Sequence, residues 1–200
     1  GLADAEHTAV LVGKALGLSP DEILVASTGV IGQRLDMDKV KKAIPALKEA
    51  LTPAGIPMAA QAIMTTDSFP KTSSFDGMAE NRPYRITGLA KGAGMIMPNM
   101  ATMLCFILTD VQIASGPLRQ VLRVCAEKTF NRISVDGDTS TNDMVLMLAN
   151  GMAGNTALRE KDHARFQEGL TGVMEDLARM IVKDGEGATK LVDVVINNAL

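Results

Sequence analysis

Residues 88–110, GLAKGAGMIMPNMATMLCFILTD, gather the groups best suited to chemistry. Glycines at 88, 92 and 94 surround Lys91, a proline turn follows at Pro98-Asn99, and Thr102 stands at the lip of an apolar run, 103–108. Glycines at this density permit positive φ and let the backbone approach another group closely. A threonine on the first residue of a buried strand has its hydroxyl on rigid backbone, where it could serve as a nucleophile. A threonine at a strand start is also a common β-former with a satisfied hydroxyl, and spacing alone leaves both readings open. The glycines form neither a Walker loop, which needs a closing Gly-Lys-Ser/Thr, nor a dinucleotide fingerprint, which follows a strand and opens a helix. Here they lead into a strand.

Three further polar groups stand out. Ser27-Thr28-Gly29 closes an expected strand at 23–26, and a turn at a strand end frees backbone N–H groups. Thr65, Thr66 and Asp67 end an apolar element and read as a capping cluster or a polar clasp. Glu186 sits between two glycines, as a turn residue or as an unusually accessible carboxylate. Asp136, Asp138 and Asp143 suggest calcium only superficially. The loop pattern wants glycine at its sixth position and glutamate at its twelfth, and neither is present. No metal site is expected.

The elements that must position these groups follow from periodicity. Helices are expected over 3–16, over 36–51 with Asp36 as cap and a kink or break at Pro45, over 54–64, over 118–130 after a turn at Ser115-Gly116-Pro117, and over 161–182. Strands are expected at 23–26, 84–89, 103–108, 144–149 and 191–197, with 68–83 a surface loop. Two hundred residues suffice for a full core. A net charge of −3 without a basic block, and a single tyrosine with no tryptophan, argue against nucleic acid and anionic membranes. Cys105 and Cys125 read as buried thiols rather than a disulfide pair. The longest apolar run is too short for a bilayer and 1–20 is no signal peptide, so a cytoplasmic protein is expected.

The words are more specific than their spacing. KGAGMIMPNMATML, with ASTGVIG at 26–32, IMTTD at 63–67, NRISVDGDTSTND at 131–143 and DGEGAT at 184–189, resembles the ornithine acetyltransferase (glutamate N-acetyltransferase) family. The resemblance runs over essentially the whole chain, although family members are about twice as long and carry further substrate contacts outside it. It implies an α/β (α+β) layered sandwich, its sheets covered by helices, of the N-terminal-nucleophile-like ornithine acetyltransferase fold. It also implies self-cleavage at Ala101–Thr102. Residues 1–101 would then be the C-terminal part of an α chain and 102–200 the N-terminal part of a β chain, together one structural domain. Thr102 becomes nucleophile and its freed α-amine the base. Such an amine titrates at about 7.7 to 8.0, so no histidine is needed. Thr28 and Gly29 supply the oxyanion donors, and Thr65 (with Thr66 the near alternative), Lys91, Thr102 and Glu186 meet the substrate. Met95, Ile96, Met97 and Met103 would wall the pocket.

The implied reaction is ping-pong. Acetyl passes from N-acetylornithine to Thr102 and then to glutamate, without a cofactor, with acetyl-CoA as an additional donor in some members and an α2β2 assembly. Two rivals use the same residues differently: an N-terminal-nucleophile aminopeptidase or amidase would surrender its acyl group to water, and a non-catalytic module would only bind a small ligand.

Overall fold

The computed structural model describes residues 1–30, 32–97, 103–140, 142–156, 158 and 160–198, so Ala101 and Thr102 lie outside the described residues. Backbone contacts divide the chain into two compact units, Gly1–Met58 and Ala59–Leu200.

The first unit is helical. Helix α1 (Leu2–Leu16) stops at Gly17, whose φ of 74° ends it in the left-handed conformation. Its buried Asp4 takes both arms of the Arg34 guanidinium, at 2.6 and 3.1 Å. That bidentate bond, only partly offset by burial, holds the Asp4 carboxyl at a pKa of about 2. Helix α2 (Met37–Glu49) is capped by the Asp36 carboxylate, which accepts the Lys39 N–H at 3.2 Å. It runs unbroken through Pro45, against the expected break. The stretch expected as a strand at 23–26 carries no ladder, and none of its neighbours among the described residues is a strand.

Past α3 (Ile56–Ala62), the second unit is built on a four-stranded mixed sheet in the order β1-β2-β3-β4. Strand β1 (Lys71–Ala79) lies in the stretch expected to be a loop. It pairs antiparallel with β2 (Arg82–Lys91) over nine residues, from Lys71↔Ala90 to Ala79↔Arg82. The connection is a two-residue turn with both Glu80 and Asn81 at positive φ, 51° and 64°. Two left-handed residues match the twist of a hairpin, the usual role of Asn-Gly. Strand β2 continues antiparallel to β3 (Leu104–Thr109), and β3 pairs parallel with β4 (Met144–Ala149) across helix α4 (Ser115–Lys128). Ser115-Gly116-Pro117 forms the first turn of α4 rather than a turn ahead of it, since proline is tolerated where the N–H has no partner.

Helix α5 (Glu160–Lys183) packs over β1 and β2. Its residues Phe166, Leu170, Val173, Met174, Leu177 and Ile181 recur at helical spacing and are all at most 2% exposed. Burying each such side chain contributes about 1.5–3 kcal/mol. They meet Tyr84, Ile86, Ala90, Cys105 and Ile107, the alternate residues of β2 and β3. A Cβ on Gly88 would lie 2.7 Å from Leu177 Cδ1 and 2.9 Å from Val173 Cγ1, so the glycine lets α5 approach the sheet. Both cysteines are free and buried, and burial raises both thiol pKa values. The result is an α/β layered fold with its sheet covered by helices, as the resemblance implies.

The expected last strand is absent. Residues 191–197 carry no ladder, and Val192, Val194, Val195 and Ile196 are exposed. Their β-branched pattern favours a strand, but a strand needs a partner to bond with.

Candidate active site

Two groups of polar contacts converge on the glycine-rich turn that follows β2. The first is centred on a buried cation. Lys71 opens β1, and its Nζ is held by Asp67 Oδ1 at 2.7 Å and Asp184 Oδ2 at 2.6 Å, with all three side chains at most 3% exposed. The Lys71 ammonium also lies 4.9 Å from the centre of the Phe69 ring. Asp67 further accepts the Gly92 N–H at 2.7 Å and the Thr65 N–H at 3.1 Å. Asp184, just past α5, accepts the Ser68 N–H on both oxygens, at 2.9 and 3.2 Å. Burial pushes both carboxyl groups up, but the Gly92 N–H and Lys71 for Asp67, and Lys71 and Ser68 for Asp184, outweigh it. Both stay below the ordinary carboxylate range.

Around this cluster sit three of the residues singled out in the sequence. Lys91 is 4% exposed, and its Nζ donates to Thr65 Oγ1 at 2.8 Å. Burial lowers the Lys91 pKa; the Asp67 and Glu186 carboxylates oppose that shift and the Lys71 cation adds to it. Lys91 therefore releases its proton more readily than a solvated lysine. Glu186 donates its backbone N–H to Ala93 O at 2.6 Å. Its carboxylate lies against Gly94, where a Cβ would fall 2.7 Å from Glu186 Cδ. Here the glycine leaves room for another residue's charged end. Thr65, Lys91 and Glu186 are thus brought together. Thr66 is exposed, and no contact ties it to Lys91 among those of the described residues.

The second group comes from 131–143. Asp136 accepts the N–H groups of Met95 and of Ile96, the latter at 2.9 Å. Asp143 accepts the Met103 N–H at 2.8 Å, and Val135 N–H donates to Ile96 O at 2.7 Å. The two carboxylates therefore grip the chain on either side of 98–102. Burial raises the Asp136 pKa, but the backbone N–H groups of Met95 foremost, then Asp138, Ile96 and Asp136 itself, outweigh it and hold it low. Burial wins at Asp143, whose pKa is raised against the single Met103 bond. Asp138 contributes only its backbone N–H, to Asp136 Oδ1 at 3.1 Å. Met95 holds φ at 58°, a conformation that costs a non-glycine residue about 1–3 kcal/mol and is common at functional sites.

The expected pocket walls divide. Ile96 and Met103 are 2% exposed and belong to the core, whereas Met95 and Met97 are exposed. Ile96 and Met103 are therefore packing residues, buried in the same core cluster as the inward residues of α4 and α5. Thr28 is half-buried and Gly29 exposed, on irregular backbone of the first unit rather than at a strand end. Sequence reasoning missed Lys71 altogether, read Asp67 only as part of a capping cluster or polar clasp, and gave Asp184 no role. A lysine four residues after an aspartate, at the start of an unrecognised strand, offered no signal. Among the described residues no group of three or more His, Cys, Asp or Glu side chains is arranged to hold a metal ion. No helix among them is long and apolar enough to cross a membrane.

The ArgJ family model matches residues 1–200. The chain is 49% identical over 201 residues to the arginine biosynthesis bifunctional protein ArgJ of Geobacter sulfurreducens, covering 100% of this chain and 51% of that protein. It is 47% identical over 205 residues to the glutamate N-acetyltransferase of Methanocaldococcus jannaschii, covering 100% of this chain and 50% of that one. A crystal structure of the Bacillus halodurans ArgJ protein shares 50% identity, with a TM-score of 0.41 over 42% of this chain and 41% of that one. The chain thus spans about half the length of the curated relatives it matches.

Proposed function

The chain belongs to the ArgJ family, and from that premise we propose that the protein carrying it is an ornithine acetyltransferase. It moves acetyl from N-acetylornithine to glutamate through an acetyl ester on Thr102, after self-cleavage between Ala101 and Thr102. In this proposal 1–101 and 102–200 are parts of the α and β chains, assembled as α2β2, and acetyl-CoA is an additional donor to be tested.

The observation that carries the reading is the joined set Thr65, Lys91 and Glu186. An amino-acid substrate bears a carboxylate and an ammonium group. Lys91, already bonded to Thr65 Oγ1 at 2.8 Å, offers a cation and a hydroxyl for the first, and the exposed Glu186 carboxylate offers a partner for the second. An ion pair at each end fixes the length and direction of the substrate. That orientation brings its acetylated nitrogen to one place, the basis of rate enhancement by positioning.

The chemistry assigned to Thr102 is self-consistent. Its α-amine takes the hydroxyl proton as Oγ attacks the acetyl carbonyl. The oxyanion of the tetrahedral species accepts from the Thr28 hydroxyl and the Gly29 N–H. Ornithine leaves with the proton, and the amine of glutamate then attacks the ester to return free Thr102. For self-cleavage the same hydroxyl attacks the Ala101 carbonyl, the Ala101–Thr102 C–N bond breaks as the hydroxyl proton passes to the Thr102 nitrogen, and water then hydrolyses the resulting ester to an Ala101 carboxylate and a free Thr102 hydroxyl and amine.

The test is partition of the acetyl group. The protein, supplied with N-acetylornithine, is expected to form N-acetylglutamate when glutamate is present and to release little acetate. Release of acetate at the same rate with and without glutamate would favour a hydrolase and overturn the transferase reading.

A further inference from the structure

We infer that Asp67, Lys71 and Asp184 form a positioning unit that sets the spacing of the substrate-holding residues; this rests on the acetyl-transfer reading above. None of the three meets a ligand directly, since their side chains are at most 3% exposed. Each instead bonds to a segment that carries a substrate group. One carboxylate, Asp67, accepts the N–H of Thr65 and the N–H of Gly92, the residue after Lys91. It therefore fixes the two backbones whose side chains meet at the Lys91–Thr65 bond. Lys71 joins that carboxylate to Asp184, 113 residues away in sequence. Asp184 begins the turn that presents Glu186, and the turn is tied back by the bond from Glu186 N–H to Ala93 O.

Stability does not account for such a cluster. Taking three charges out of water is costly, and apolar residues of similar volume often hold a fold as well or better. What an apolar plug cannot do is set directions. Carboxylate oxygens of Asp67 and Asp184, bonded to Thr65, Ser68 and Gly92, tie the 65–68 segment to Gly92 and to the turn at Asp184 within hydrogen-bond tolerance, and a salt-bridged lysine at the centre locks them together. The pattern matches the outer-shell support that orients ligands at metal sites, applied here to an organic substrate.

The test is a double-mutant cycle on the intact protein, reading kcat/KM for N-acetylornithine in the parent, Asp67→Asn, Lys91→Met and the double variant. An amide at 67 keeps the shape of the side chain but turns one acceptor into a donor facing Lys71 or a backbone N–H. Asp67→Asn is expected to lower kcat/KM about tenfold or more, mainly through KM. Because Asp67 acts through Lys91 and Thr65, the loss in the double variant should fall well short of the product of the single losses. Losses that multiply, or an unchanged KM in folded Asp67→Asn, would overturn the inference. Should Asp67→Asn fail to fold, the cycle of Asp184→Asn with Glu186→Gln carries the same expectation and the same contrary result. A parent that transfers no acetyl refutes the functional reading instead, so the two failures are told apart.

Discussion

The two halves of the site use carboxylates in opposite ways. On one side Asp67 and Asp184 are buried, paired to a cation and bonded to the backbone around Thr65, Ser68 and Gly92. On the other, Asp136 and Asp143 hold backbone N–H groups, at Met95, Ile96, Asp138 and Met103, with no cation among their partners in the described residues. In the proposed function the first side presents side chains to the substrate. The second side holds the polypeptide that leads into and out of the Ala101–Thr102 bond. The proposed enzyme, which both cuts itself and binds an amino acid, would need both kinds of grip, and the two sets of carboxylates stand on separate loops.

The contrast is sharpest at Lys71. Lys71→Met strands two buried carboxylates and is expected to destabilise the second unit by about 3–5 kcal/mol, measured by chemical denaturation. A loss below 1 kcal/mol would mean that the cluster is more hydrated than its burial indicates.

Next in size, Asp136→Ala leaves the Met95 and Ile96 N–H groups without their acceptor. It should cost about 1 kcal/mol and slow self-cleavage, followed by mass over time, while leaving KM for N-acetylornithine near the parent value. Asp67→Asn should show the reverse, with KM raised and cleavage retained. If both variants changed both readouts alike, the division of labour would not exist.

The pH dependence sets Asp143 apart in sign from the other three carboxylates. Asp67, Asp184 and Asp136 titrate below the ordinary carboxylate value of 3.8 in the folded chain. Their contribution is fully present above that value and is lost as the pH falls through the folded pKa. Asp143 is raised, so its ionisation opposes folding at neutral pH, and the penalty is relieved as the pH drops through its folded value. Thermal melts from pH 6 downward should fall steeply only below about pH 4, and Asp143→Asn should lift the neutral end of that curve. The smallest effect is expected far from both halves. Arg85 and Asp76 pair at 2.6 Å but are 61% and 66% exposed, and Arg85→Gln should leave the melting temperature close to that of the parent.

Helices were read from the sequence with little loss, because α5 repeats its apolar residues at a spacing only a helix can bury. Strand β1 was hidden for the opposite reason. Its sequence KTSSFDGMA has only Phe75 and Ala79 as inward apolar residues at alternate positions, with Gly77 between them, and its turn uses Glu-Asn in place of Asn-Gly. The 191–197 segment failed in the other direction, for its residues favour a strand that pairs with nothing among the described residues. Thr65, Lys91 and Glu186 were legible because the family words marked them, and the fold then brought them together. The cluster beneath them was not legible, since a buried ion pair spanning 113 residues leaves no local pattern. Thr102, on which the proposed chemistry turns, lies outside the described residues.

The intact mass of the protein and of its Thr102→Ala variant, under denaturing conditions, tests the central claim most directly. The parent should yield two fragments divided between Ala101 and Thr102, and the variant a single uncut chain. A parent that transfers acetyl while its Ala101–Thr102 bond stays whole would contradict the account, because Thr102 would then have no free α-amine to act as base.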